Sequence, residues 1–579
     1  MPPQSYLSAP WTDQLVIWLG LAGSLVSAVV AVLTLFGVRQ LRLSQRQADA
    51  RRVLAVWGPI GPTGACGVKV INSSDTNFRG LVTVTCSAPS GSVARVNSVP
   101  FEPNSSWTSD STMIHEIIDH DPAHSQRGGR PRPANHDGEI HPVQVTYSDG
   151  RRYWLQREGT VERLDRLVIW AERTRADTIG SYLGRRSPFL RQTSVRVKVV
   201  RFSRTEHLEH AVRQLAAEGG TEDGTDLPDI VVGPHDWIGG VADSRWVEPL
   251  PLNQQDQARF HPASVAALHD DGRLVAVPYV FDTVALIRNN RLAGRGPMPS
   301  TLPEVIASGQ QAVAGRRVTA GSALAMQVGQ PNSHGEAGDP YHMWPLFSSA
   351  GGSFFGLRRP TASEAAPGAP DSFDDLQTWR GDFIEAFAQL AALGCGPGGR
   401  GVLDPRTGRT EAIDAFLDQR APYLICSSRA LKRINQKGMD VTVAPVPPLG
   451  PHPAVPMVSV YGFFIYRCAP NMPAARDVLT QYLASTEAGV DLQRFQPLVP
   501  VQRAAMGRVG DADRRLAPYV EQSRHGLIMP SYPEMRQAWN LLGLAEYRIL
   551  AGDGDPRTIA GSTADAGWEL LSAARQPSR

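Results

Sequence analysis

The chain has 579 residues, enough for two to four domains and a large buried core. Hydrophobic residues at 42% and charged residues at 20% exclude wholesale disorder and a collagen-like fibre. Lys+Arg 58 against Asp+Glu 56 leaves a net charge of +2, with no basic excess to hold a nucleic acid. Five cysteines, widely spread and without a CxxC pair, exclude a disulfide-dense scaffold, and a mean hydropathy of −0.22 excludes a polytopic transporter.

Residues 1–13 form an N-terminal tail without Lys or Arg. From Gln14 to Val38 the run QLVIWLGLAGSLVSAVVAVLTLFGV has no charged residue. About 20 apolar residues at ~1.5 Å rise cross a hydrocarbon core of ~30 Å, so this segment reads as a transmembrane helix. A cleaved signal peptide would need a basic leading segment and a shorter apolar run. Arg39, Arg42, Arg46, Arg51 and Arg52 make 39–52 a basic juxtamembrane segment. Positive charge next to a membrane helix stays cytoplasmic, which places the rest of the chain inside the cell.

Residues 53–165 read as a β-sandwich. Short β-branched runs at Val53–Val56, Gly67–Ile71, Leu81–Cys86, Val143–Tyr147 and Tyr153–Leu155 are separated by turn residues such as Asn72–Asp75 and Ser148–Gly150. The stretch from His124 to Asp137, rich in Gly, Pro and Arg, is a loop. The sequence INSSD…VTVTC…VTYSDGRRYWLQREG resembles an immunoglobulin-like module.

From Leu167 strands alternate with helices. LVIW (Leu167–Trp170), VRVKVV (Val195–Val200) and DIVVG (Asp229–Gly233) are strands, and Leu208, Val212 and Leu215 mark one helical face. That alternation predicts a parallel α/β sheet covered on both faces. Further on, Phe383, Phe387 and Leu390 mark a helix, with Gly394 as its expected C-cap. Residues 364–371 and 394–401 read as surface loops.

The sequence calls for no cofactor, no metal and no catalysis. His115 and His120 are five apart, whereas chelation from one helix face needs i, i+4. The glycines at 394–401 lack the Lys-Ser/Thr of a phosphate-binding loop. There is no GxSxG elbow, and no cysteine has an evident histidine partner.

From Arg166 to the end the chain resembles the solute-binding proteins of ABC importers, of the maltose-binding type. The resemblance rests on blocks that keep their order: LVIWAERT (Leu167–Thr174), LPDIVVGPHDWIGGVADSRWVEPL (Leu227–Leu250), VAVPYVFDTVALIRNNRL (Val275–Leu292), MPSTLPEVI (Met298–Ile306), DPYHMWPLFSSAGGSFF (Asp339–Phe355), TEAIDAFLDQRAPYLI (Thr410–Ile425), STEAG (Ser485–Gly489) and LIMPSYPEMRQAW (Leu527–Trp539). It implies an α/β, two-lobed periplasmic-binding-protein type II fold over 166–579, preceded by the transmembrane helix and the small β-sandwich. It also implies a hinged clamp around a small polar ligand, a sugar above all, and no enzyme.

The residues it singles out are Asp236 in PHDW, Asp282 in VFDT, Asp339 and Tyr341 in DPY, and Trp539; two departures from its pattern join them as candidates, Trp237, where the family has a basic residue, and Arg429. Asp236 has the alternative of capping the helix that begins near Gly239. Trp539, at helical spacing from Met535, has the alternative of being core. Thr174 and Arg175 stand where the family has an Asp-Lys pair, and Arg429 stands where it has an aromatic. Arg429 in a cleft would favour a ligand carrying a carboxylate or phosphate. The implied partners are the small-molecule ligand, the lipid bilayer, and either an ABC permease or a signalling protein. The resemblance puts the clamp outside the membrane, the flanking arginines put it inside, and the two expectations conflict.

Overall fold

The computed structural model describes residues 44–60, 65–85, 93–108, 143–157, 160–185, 188–218, 226–240, 246–250, 252–270, 272–315, 321–329, 337–354, 376–531 and 534–574, together with Val38 and Leu41. The apolar run at 14–37, the histidines at 115–136 and the loop at 364–371 lie outside the described residues. Among the described residues no helix is long and apolar enough to cross a membrane, and no group of His, Cys, Asp and Glu is placed to hold a metal ion. The chain divides into two compact units, Met1–Asp165 and Arg166–Arg579.

The first unit contains two antiparallel sheets around one core. Strands β1 (Val53–Ile60), β2 (Ala65–Asn72) and β5 (Ser105–Thr108) form one, in the order β1-β2-β5. Strands β3 (Phe78–Thr85), β4 (Val93–Phe101), β6 (Val143–Ser148), β7 (Tyr153–Arg157) and β8 (Thr160–Leu164) form the other, in the order β4-β3-β6-β7-β8. Alternate residues of both sheets meet inside: Val68 and Val70 face Phe78, Val82, Tyr147 and Trp154 in one apolar cluster. Ala50 belongs to the same cluster, and Tyr147 Oη donates to its carbonyl at 2.7 Å, so the end of the basic segment is part of this unit.

The second unit is α/β and carries two sheets. The larger contains β9 (Arg166–Glu172), β10 (Arg196–Phe202), β11 (Ile230–Pro234), β12 (Val247–Glu248), β15 (Ala276–Asp282), β20 (Met457–Tyr466), β21 (Val499–Pro500) and β22 (Leu527–Ile528). Its path runs β10-β9-β11-β20-β15-β21. The smaller runs β17 (Ala325–Met326), β18 (Tyr423–Ser427), β16 (Val284–Asn289), β19 (Val441–Ala444). A hairpin of β13 (His269–Asp270) and β14 (Arg273–Leu274) precedes β15.

The sequence reading expected a parallel sheet, and the larger sheet is mixed. β9 pairs in parallel with β10 and β11, whereas β20 is antiparallel to both β11 and β15. The connectivity explains this. The chain leaves the larger sheet on β15, enters the smaller on β16 with Thr283 alone between them, and comes back on β20. Two strands carrying the chain in opposite directions through one place must run antiparallel. Every residue of β15 and β20 is buried, which explains their nearly unbroken apolar sequences. Thr283 ties the outgoing and returning strands together, its hydroxyl donating to the Met457 carbonyl at 2.9 Å.

Helix α1 (Arg173–Arg185) follows β9, and α2 (Thr205–Glu218) follows β10 with Leu208, Val212 and Leu215 buried on one face. Helices α3 (Pro340–Ser349), α4 (Leu376–Ala391), α5 (Ala430–Gln436), α6 (Met535–Ala551) and α7 (Pro556–Ala574) complete the elements used below. Phe347 of α3 packs between Phe383 and Phe387 of α4, with ring centroids 5.4 and 4.9 Å away, in a core shared with Leu286 and Ile425 of the smaller sheet. Gly394, expected as a C-cap, has a packing reason for being glycine: a Cβ there would lie 2.5 Å from the Leu550 carbonyl oxygen of α6.

Candidate functional site

The place where the two sheets exchange strands collects charged side chains from four separate elements. Asp282 ends β15 and is 4% exposed. Arg175, in the first turn of α1, is wholly buried, and its Nη2 lies 3.2 Å from Asp282 Oδ2. Arg429, at the start of α5 just after β18, brings its own Nη2 within 3.1 Å of the same oxygen. Glu172, the last residue of β9, stands 3.7 Å from Arg175 Nη1 and accepts from the Thr174 amide and hydroxyl at 3.1 and 3.0 Å. Tyr341 on α3 donates its hydroxyl to the Asp282 carbonyl oxygen. Beneath these groups Tyr461 of β20 offers its ring face to the Arg175 guanidinium at 3.3 Å, a desolvated cation–π contact.

Two guanidinium groups and two carboxylates balance in charge. Burial by itself would raise the Asp282 carboxyl, but Arg429 and Arg175 outweigh it and hold the group below the usual carboxylate range. Glu172 is depressed on the same terms, burial being overcome by Arg175 and Arg429. Arg429 stays protonated, since Asp282, Tyr461 and Glu172 more than offset its own desolvation. The guanidinium that the sequence reading offered to an anionic ligand is therefore already answered by Asp282.

The network is not saturated. Among the described residues, Arg175 Nε and Nη1, Arg429 Nε, Asp282 Oδ1, Glu172 Oε2 and Tyr279 Oη are buried without a hydrogen-bond partner. Buried polar atoms are ordinarily satisfied, and each one left over costs about 1–3 kcal/mol. Of these, Arg175 Nη1 and Glu172 Oε2 face each other as an ion pair at 3.7 Å, too far apart for a hydrogen bond.

The other expected residues fall in different surroundings. Asp236 follows β11 and has a buried, unpartnered Oδ1. Glu209 and Arg213 of α2, themselves paired at 2.8 Å, and Arg536 of α6, which reaches Glu209, all bear on it. Burial, with the Glu209 charge added, pushes the Asp236 carboxyl up to about 7, against the opposing pull of Arg536 and Arg213. The folded chain thus keeps a proton that the unfolded chain has released between pH about 4 and about 7. Stability is lost as pH rises through that window. Asp236→Asn is expected to flatten this slope, as read from urea midpoints at pH 5 and pH 8; an unchanged slope contradicts the assignment.

Trp237 is 2% exposed and its ring lies against Gly233 of β11, so that a Cβ there would come within 2.4 Å of it. Its indole is packing in the larger sheet's half of the unit. Gly233→Ala is expected to cost about 1–3 kcal/mol by overpacking, checked by urea unfolding, and a cost near zero would show that the ring is free to move. Asp339 is the N-cap of α3, accepting from the Tyr341 amide at 3.3 Å and from His342 Nδ1 at 2.5 Å. Trp539 on α6 is half-buried against the core of the smaller sheet.

Asp282, Tyr341 and Arg429 are thus brought together, whereas Trp237 and Asp339 serve packing and capping. Arg175, Glu172 and Tyr461 belong to the centre, and sequence reasoning did not propose them as site residues. The only available signal was Arg175 standing where a Lys was expected, with Glu172 three positions before it.

Residues 185–506, more than half of the chain, match the bacterial extracellular solute-binding protein family, and the chain belongs to it. Members of that family are binding proteins and not enzymes. The chain is also similar to the maltotriose-binding protein of Pyrococcus abyssi, 23% identical over 327 residues. That similarity covers 54% of this chain and spans 63% of the relative's length.

Proposed function

We propose that the chain captures a small neutral carbohydrate between two lobes built on the two sheets, and that it does so as a membrane-anchored component of ABC-type uptake. The observation that carries the ligand class is the set of orphaned groups around Asp282. A sugar hydroxyl both donates and accepts, so one ligand answers Arg175 Nε and Nη1 together with Asp282 Oδ1 and Glu172 Oε2. Tyr341 and Tyr461 supply aromatic surface beside them. The maltotriose-binding relative supports the same ligand class. These groups are closed on one another in the described structure, so entry of a ligand requires the sheets to swing apart about β15 and β20, the hinge type of motion.

The anchor would be the apolar run at 14–38, with the immunoglobulin-like β unit as the segment between membrane and clamp. A second reading, a cytoplasm-facing sensor that passes closure to a signalling protein, draws its support from Arg39, Arg42 and Arg46 after that run. Protease treatment of intact cells separates the two: cleavage of the 166–579 unit fits uptake, and protection fits the sensor. For the ligand itself, tryptophan fluorescence of the full-length chain is to be titrated with neutral and acidic oligosaccharides, maltotriose first. A saturable change with a neutral sugar is expected, and a response to acidic sugars alone would overturn the proposed class.

A further inference from the structure

Away from the strand crossing, an ion pair joins the two halves of the second unit through side chains. Helix α2 packs on β9 and β10 of the larger sheet, with Leu208, Val212 and Leu215 buried. Helix α6 packs on α3, α4 and α7, and its Met535, Ala538 and Leu542 belong to the smaller sheet's core. The two helices meet where Glu209 faces Arg536, 327 residues further on. Glu209 Oε1 accepts from Arg213 Nη2 of its own helix at 2.8 Å and from Arg536 Nη2 of α6. A single carboxylate oxygen thus takes one guanidinium from each half.

We propose that Glu209 and Arg536 are a latch on the clamp: they set the balance between its open and closed arrangements, and through it the affinity for the ligand, without touching the ligand. The inference rests on the clamp reading above and names the residues that govern its closure. Swinging the sheets apart about β15 and β20 keeps the Glu209–Arg213 pair, which lies within one helix at i, i+4, and draws Arg536 away from both. Opening therefore strands no buried charge. Glu209 keeps a partner, with Arg213 as its positioning residue, and Arg536, whose side chain is already 57% exposed, passes to water. An exposed pair of this kind shifts a two-state balance by about twofold to fivefold, enough to tune a clamp and too little to lock it. The competent fraction multiplies directly into the apparent affinity, so the same factor reaches the ligand. Salt screens exposed charges, and a neutral sugar has none of its own, so the latch makes sugar binding weaken as ionic strength rises.

The test follows hydrogen–deuterium exchange of the ligand-free full-length chain by peptide mass spectrometry at residues 172–175, which the closed halves cover. Exchange there is expected to quicken about twofold to fivefold in Glu209→Gln and in Arg536→Gln, and no further when the two are combined, since either change alone removes the pair. Maltotriose affinity is expected to fall by the same factor. Arg557→Gln breaks an exposed pair with Glu385 between α4 and α7, within one half, and is expected to change neither reading. Should a variant fail to fold, the native chain decides through salt: exchange at 172–175 is expected to quicken as ionic strength is raised. Exchange equal to native in both single variants, additive effects in the double variant, an equal change in Arg557→Gln, or native exchange indifferent to salt would overturn the latch. Exchange that responds to the variants but not to maltotriose would uphold the latch and count against the sugar.

Discussion

Asp282→Ala is expected to lower the stability of the second unit by about 3–5 kcal/mol and to remove ligand binding, because it leaves two buried guanidiniums facing each other with one distant carboxylate between them. Arg429 loses its partner at 3.1 Å, and Arg175 keeps only Glu172 at 3.7 Å. Urea unfolding followed by circular dichroism measures the first effect. A loss below about 1 kcal/mol would mean that the ion pairs are screened or transient. A companion variant separates charge from packing. Replacing the three together, Asp282→Leu with Arg175→Met and Arg429→Met, is expected to recover most of the stability, since well-packed apolar residues often match or exceed a buried ion network. Binding should not return with it. If the apolar triple binds ligand as the native chain does, the charged groups are not the site.

Trp539→Ala is expected to weaken ligand binding by about tenfold to a hundredfold while costing the fold only ~1 kcal/mol. Trp539 is half-buried against the smaller sheet's core, so part of the residue stays exposed. Buried aromatic anchors at binding surfaces are commonly worth 2 kcal/mol or more on truncation, about thirtyfold in affinity. Paired measurement of fluorescence titration and urea midpoint decides between the two roles. A stability loss of about 3–5 kcal/mol with unchanged affinity would assign Trp539 to the core, the cost typical of removing a buried aromatic.

The parts of the fold written in local pattern were legible in the sequence. β9 and β11 are short apolar runs bounded by polar residues, and α2 carries Leu208, Val212 and Leu215 at helical spacing, all buried. Three strands of the first unit that went unread, β4, β5 and β8, are fixed by pairing more than by composition. β5 is the sequence SSWT and β8 is TVERL, polar enough to pass for loop, and each is held by antiparallel bonds to a neighbour. The mixed character of the larger sheet was also hidden, because it follows from where the chain crosses between sheets and not from any one segment.

The site shows the same division. Asp282 and Tyr341 were reachable because they sit in blocks that resemble a family, and Arg429 because it stands where that family has an aromatic. Arg175 was not, because an arginine near a helix start reads as surface. Its burial is imposed by Asp282, 107 residues further on, and by the Tyr461 ring. Trp237 was opaque for the opposite reason: it stands where the family has a basic residue, and only the bare Gly233 backbone beside it shows where the ring goes.

Isothermal titration calorimetry of the full-length chain with maltotriose and its longer and shorter neutral homologues, run beside Asp282→Asn, is the most direct trial of a saccharide held at the strand crossing. The prediction is a saturable one-to-one heat for at least one of these sugars, reduced at least tenfold in the variant. A sugar that binds the variant as tightly as the native chain would place its site elsewhere and contradict the account.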